Sequence, residues 1–248
     1  MPVRKNNSLL LAGLMNIAIL PMPLRITVLL VLLLLGWDAG GLDLPLARWF
    51  GDQRGFAWRD HWLLTSVMHE GGRSLSWLLV LALGAGVRWP WGPLRRLPRA
   101  VRLQLALTPL LAALMISMLK GVNATSCPWD LAEFGGPATY LPHWLGFLRG
   151  DGGGGHCFPA GHASSGFAFI GGYVVCRQVD PRQARLWLLG GLLAGLLLGL
   201  GQQLRGAHFM SHTLWSGMLC WLAAWGIEAL RLRWWPRGAA AGPASAGQ

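Results

Sequence analysis

The chain has 248 residues, 53% of them hydrophobic and 12% charged, against a charged share of roughly 25% in soluble domains. Its 21 Lys and Arg outnumber 10 Asp and Glu for a net charge of +11, but the basic residues sit between long apolar runs, which excludes a nucleic-acid-binding face. Fifteen Trp and 35 Gly further exclude a soluble globule or a disordered chain and fit a polytopic membrane protein embedded in a lipid bilayer.

In chain order, residues 1–20 pair a basic start (Arg4, Lys5) with an apolar stretch. No small-residue cleavage site follows, so an interfacial leader or an overlong translation start is expected over a cleaved signal peptide. Six segments approach the length of about 20 apolar residues that a membrane crossing needs: 24–41, 75–87, 103–119, 163–175, 186–204 and 213–230. The second and fourth have short apolar cores and reach spanning length through Trp or small polar flanks. Between the first two, residues 44–50 and 58–68 mix apolar and charged positions at near-helical spacing, the pattern of interfacial helices. Residues 238–248 are rich in Ala, Gly and Ser and are expected to be a disordered tail. The expected fold is all-α: one six-transmembrane helix bundle over residues 1–237, without internal repeats.

Loop arginines orient it. Arg88, Arg95, Arg96, Arg99 and Arg102 follow the second span, Arg177, Arg182 and Arg185 the fourth, and Arg231, Arg233 and Arg237 the sixth. With Arg4, Lys5 and Arg25 they fall on one side, which the positive-inside rule makes cytoplasmic. Fourteen basic and two acidic residues then lie inside, against seven basic and eight acidic outside. Both termini are expected in the cytoplasm.

Three polar segments fall at the outer helix ends, which is where the active site is expected. Lys120, one of only two Lys, ends the third span; as a lone residue it reads as an interfacial snorkelling side chain. The polar turn Thr125-Ser-Cys-Pro-Trp-Asp130 follows it. Cys157-Phe-Pro-Ala-Gly-His162 leads into the fourth span, offering backbone N–H groups at a helix start near Gly161 and an imidazole that titrates near neutrality; its plain reading is a helix cap. Residues 152–155, all Gly, make a run that permits this loop to move. Arg205-Gly-Ala-His208-Phe-Met-Ser-His212 joins the last two spans. His208 and His212 share a helical face, but no Glu sits beside the first His, so a metalloprotease-type zinc site is disfavoured. Arg205 is a planar, permanently charged donor suited to phosphate, or else an interfacial anchor. Lys, Arg and several His with few carboxylates suit phosphoryl transfer with neither metal nor cofactor.

The segments resemble the type-2 phosphatidic acid phosphatases, integral lipid phosphatases related to vanadium haloperoxidases. That family's pattern is Lys-x6-Arg-Pro, then Pro-Ser-Gly-His, then Ser-Arg-x5-His-x3-Asp. Here Lys120-x6-Cys127-Pro128 carries Cys at the Arg position, and Pro159-Ala-Gly-His162 carries Ala at the Ser position. His208 aligns with the nucleophile, with Gln202 at the Arg position and His212 at the Asp position. The resemblance covers residues 120–215 and is closest to a variant bacterial branch. It implies an inner-membrane enzyme with a periplasmic site. His208 would attack phosphorus, His162 would serve as general acid and base, and Lys120, Arg205 and Gly161 would hold the phosphate, with Arg149 a weaker substitute for a missing arginine. His212 would orient His208, lacking a fixed negative charge unless Asp130 or Glu70 approaches. Cys127 and Cys157 both face the outside, where an oxidising compartment supports a disulfide pinning the Lys120 loop to the His162 loop; two packed thiols are the alternative.

The expected function is therefore a metal-independent phosphatase or phosphotransferase acting through a phosphohistidine on a lipid phosphate of the lipid A, polyprenyl diphosphate or phosphatidylglycerol phosphate type. The alternative is a non-catalytic lipid-phosphate binding or scaffold protein on the same fold. A transporter or channel is disfavoured, because the span interiors hold almost no ionisable residues.

Overall fold

The structure, a computed structural model, describes residues 21–234; the leader and the tail 238–248 lie outside the described residues. It is mostly helical. Helix α1 (Met22–Ala39) starts with Pro23 in its first turn and turns leucines outward along most of its length. A short α2 (Asp43–Ala47) and a two-stranded hairpin, β1 (Gly51–Asp52) with β2 (Gly55–Phe56), follow. A π-helical segment (Leu63–Gly71) runs directly into α3 (Gly72–Arg88). Helix α4 (Arg99–Val122) contains Pro109. Residues 123–160 form a loop with three 3-10 turns, leading to α5 (Gly161–Phe167), a 3-10 turn (Ala168–Ile170) and α6 (Gly171–Cys176). Helices α7 (Pro181–Leu204) and α8 (Met210–Trp234) complete the chain. Pro181 opens α7 and the Asp180 carboxylate accepts the Gln183 N–H at 3.1 Å, the preferred chemistry of a helix start.

A helix covers most or all of each of the six apolar segments. Three of them, α1, α4 and α7, are long and apolar enough to cross a membrane, and Leu33, Leu75, Leu78, Leu81, Leu193 and Leu197 stay exposed on the helical surface. Lipid, not water, suits such a surface.

Two expectations are corrected. Residues 44–50 and 58–68 are not two interfacial helices. The first is only the short α2, followed by the hairpin, whose turn is held by Asp52 accepting the Arg54 N–H at 2.8 Å. The second begins late, at Leu63, because residues 57–60 are turns and the His61 carbonyl accepts the first helical N–H groups. The continuous helix 63–88 lends the second segment the length its apolar core lacked. The fourth segment is three helical pieces, not one regular helix.

Small residues explain how the pieces fit. Gly191, Gly195 and Gly199, each four apart on α7, face Ile170, Phe167 and Thr213. A Cβ on Gly166 would collide with the backbone of Gly195, so α5 and α7 touch main chain to main chain. Phe167, Ile170, Trp215, Met218 and Trp221 pack with Leu34 and Ile116 into the largest core cluster, while Phe56, Leu131, Phe134 and Phe209 cap the end bearing the long loop. At the opposite end Glu228, buried, accepts from Gln104 at 2.8 Å and from Arg231 at 3.0 Å.

Candidate functional site

The site forms where the long loop lies over the ends of α4, α5, α7 and α8. Cys127 and Cys157 are joined in a disulfide, and the Cys157 N–H donates to the Thr125 carbonyl at 2.9 Å. Asp151, buried, accepts from the Ser126 N–H at 2.6 Å and its hydroxyl at 2.7 Å. The glycine run is tied down: Gly153 N–H donates to Asp151 at 3.1 Å and Gly155 N–H to Ser126 Oγ at 3.2 Å. Gly155 has φ +66°, and a Cβ there would lie a tight 3.2 Å from the Ala124 backbone. The Trp129 N–H donates to the Gly206 carbonyl at 2.9 Å, lacing the first motif to the third.

His162 lies in the first turn of α5, two residues after Ala160, whose N–H reaches the His212 carbonyl at 3.4 Å. Its ring stacks on that of His69 with centroids 3.5 Å apart. His69 Nδ1 lies 2.9 Å from Glu70, and Arg73 bonds the same carboxylate at 2.7 Å. Burial, then the charges of His69, Lys120, Arg73 and Arg205, push His162 down to about 4. Its Nε2 is buried without a hydrogen-bond partner among the described residues.

His208 is 4% exposed. Its Nδ1 lies 3.4 Å from Cys157 Sγ, and burial, then the charges of Lys120, His212 and His162, hold it well below the ordinary histidine range. Arg205 donates through Nε to the Arg59 carbonyl at 2.8 Å and through Nη1 to Gln202 Oε1 at 3.3 Å. Its charge is felt by His69 and His162. Lys120, His162 and His208 thus lie within electrostatic reach of one another, and Arg205 within reach of His162, with Gly161 beside His162 at the head of α5.

His212 is buried among rings: Phe158 at 5.2 Å, Phe209 at 5.4 Å, His143 at 5.5 Å and His208 at 5.9 Å between centroids. Among the described residues neither Asp130, which accepts from Trp129, nor Glu70, which pairs with His69, bonds it. Carboxylates lie behind it instead. Asp38 is 3.6 Å from His143 Nε2, and Asp43 accepts from the Ser211 N–H at 3.0 Å and from its hydroxyl. Arg149 is exposed in the long loop, its backbone N–H on the Leu145 carbonyl; no contact among the described residues joins its side chain to the histidines.

Sequence reasoning missed His69, Arg73 and His143. His69 and Arg73 are four apart on a helix face, with Glu70 between them, a signal that was open to reading. His143 sits in an irregular Pro-Trp segment that carries no such pattern. Cys127, Cys157 and His208 ring and sulfur atoms lie within 4.8 Å of one another, but a disulfide has no thiolate to give a metal.

An apolar groove of about 800 Å³ runs between the 63–88 helix and α7. Val67 and Met68, which precede His69, and Ser165, three residues after His162, line it, as do Leu75, Trp187 and Leu197. A family model described as the PAP2 superfamily matches residues 102–236. No curated protein and no solved structure matches the chain.

Proposed function

Because the chain belongs to the PAP2 superfamily, a family of phosphatases, we propose that it removes or transfers the phosphoryl group of a membrane lipid phosphate, without a metal. The carrying observation is the meeting of the buried His208 and the half-buried His162 with the charges of Lys120, Arg73 and Arg205. Cations there offset the phosphate oxygens, and a water-poor site strengthens them.

His208 attacks phosphorus through Nε2, since Nδ1 is occupied against Cys157. The bond from phosphorus to the lipid oxygen breaks and that oxygen takes the His162 proton. His162 then removes a proton from water, whose oxygen displaces the histidine and releases phosphate. A bound phosphate dianion counters the positive charges that depress His162, raising its affinity for the proton it must donate. Lys120 and Arg205, with backbone N–H groups at Gly161, hold the phosphate oxygens. His212 packs edge-on against His208, with ring centroids 5.9 Å apart.

The apolar groove beside His69 favours a substrate with a long hydrocarbon chain, of the lipid A, polyprenyl diphosphate or phosphatidylglycerol phosphate type. In this reading residues 1–237 form one six-span domain in a bacterial inner membrane, with both termini cytoplasmic and the site periplasmic, as the arginine distribution supports.

His208→Ala is expected to abolish phosphate release from lipid phosphates in EDTA while thermal unfolding stays near that of the native protein. Full turnover in that variant would sink the assignment. Gln202 and the disulfide-bonded Cys127 occupy the two positions where the family pattern has arginine, which favours the second reading, a non-catalytic lipid-phosphate binder. Pure protein that binds but never turns over all three lipids would select it.

A further inference from the structure

A histidine nucleophile works only in one tautomer. The proton must sit on the nitrogen away from the substrate, and a second group must keep it there. In the resemblance that group is an Asp four residues after the nucleophile, and in this chain the position is His212. The His208 and His212 rings stand 5.9 Å apart at 64°, and among the described residues no hydrogen bond joins them. The neighbouring carboxylates have other partners: Asp38 accepts from Trp144 and Trp215, each at 2.9 Å, Asp43 from Trp37 and Ser211, and Glu70 from Arg73.

What His208 faces instead is Cys157, which it meets at the backbone and, through Nδ1, at the sulfur. Cys157 Sγ lies 3.4 Å away, a usual separation for an N–H donating to the larger sulfur atom. Sulfur in a disulfide has no proton, so it can only accept. The sulfur is also immobile: it is bonded to Cys127, Cys157 is 0% exposed, and Sγ lies 3.1 Å from the Ala207 carbonyl oxygen. With His208 only 4% exposed, bulk water is excluded as a competing acceptor.

We propose that the Cys127–Cys157 disulfide is a positioning group for the nucleophile, its Cys157 sulfur accepting the His208 Nδ1–H in place of the absent carboxylate and leaving the Nε2 lone pair free for phosphorus. This rests on the reading of His208 as the nucleophile. It gives the disulfide a role beyond cross-linking two loops. Reduction converts Cys157 into a thiol whose S–H donates to Nδ1 as readily as it accepts. The proton is then free to move to Nε2, which removes the attacking lone pair.

Two measurements test this. The first is 15N NMR of the histidine-labelled full chain in detergent, with the His208 signals identified by their loss in His208→Gln. The oxidised protein is expected to hold Nδ1–H with a bare Nε2, and treatment with a phosphine reductant to mix the tautomers. A resting oxidised protein with Nε2–H overturns the proposal. The second is lipid-phosphate turnover by paired variants. Cys127→Ala with Cys157→Ala is expected to lower kcat about 10- to 100-fold with KM unchanged. Cys127→Ala with Cys157→Asp is expected to recover most of that loss, because a carboxylate there accepts the same proton without a cross-link. A disulfide that served only to pin the loops would leave the Asp and Ala pairs equally slow, and that result also overturns the proposal. The tautomer measurement needs no turnover, so a wild-type protein inactive on every lipid phosphate would refute the enzymatic reading while the NMR result still decides the role of Cys157.

Discussion

His162 sits among more positive charge than its own motif supplies. Lys120 and Arg205 come from the motif region, but His69 and Arg73 come from the other side of the fold, and all four lower its proton affinity. Removing one of them has a definite sign. Arg73→Gln takes away a cation, so the His162 pKa rises, and the basic limb of the kcat–pH profile is expected to move to higher pH because the acid form persists longer. A limb that stays in place or moves down would separate His162 from the proton transfer. Lys120→Met and Arg205→Met each are expected to cost about a hundredfold or more in kcat/KM, the scale of losing one preorganised charge on a developing oxyanion. The three motif segments were legible as residues because Lys, His and Arg are rare among long apolar runs. His69 lies outside those segments, and only the fold stacks it on His162.

At the scale of the element, the unusual piece is the π-helical segment Leu63–Gly71. The Gly72 N–H can reach the carbonyls of Val67, Met68 and His69, a widened turn of the kind that recurs at functional sites. It carries His69 onto His162 and aligns Val67 and Met68 with the apolar groove. Hydropathy finds the apolar core of this helix but not a local change in hydrogen-bond register, which costs little and is set by packing. The broken 161–176 region is of the same kind. Its glycines let α7 approach at backbone distance, so side-chain bulk there is expected to be costly. Gly166→Ala meets the Gly195 backbone and should lose about 1–3 kcal/mol of stability. Gly190→Ala, where nothing lies within 4 Å, should be neutral or gain up to about 1 kcal/mol. Equal melting temperatures for the two variants in detergent would contradict the close α5–α7 contact.

For the whole molecule, leucines make up much of the exposed helical surface, and the site histidines are collected at one end under the 123–160 loop. That loop is held by buried polar pairs that also fix its pH tolerance. Burial pushes His143 down to about 4, against the pull of Asp38 3.6 Å away. A histidine kept neutral in the fold and free to charge when unfolded stabilises the protein above its ordinary pKa near 6.5. That stability is lost as pH falls from about 6.5 towards 4. Melting temperature is expected to drop across this window, and His143→Gln to flatten part of the drop. A variant as acid-sensitive as the native protein would remove His143 from the account.

The membrane class and the helical segments could be read from the sequence alone, because a bilayer imposes a length and an apolarity that no other environment demands. Their orientation could be proposed from it as well, through the arginines. The positions of Lys120, His162, Arg205 and His208 were legible for a related reason, since charge is expensive among apolar helices and its survival marks use. Only the tertiary structure decided which groups meet there. His69 and Arg73 arrive from a helix distant in sequence, Asp38 and Asp43 stand behind His143 and Ser211, and a disulfide sulfur faces the His208 ring. Those pairings depend on how glycine-lined helices close on one another and how a loop folds over their ends. Neither hydropathy nor motif spacing encodes that, because both are sums over neighbours along the chain, and the site is made of neighbours in space.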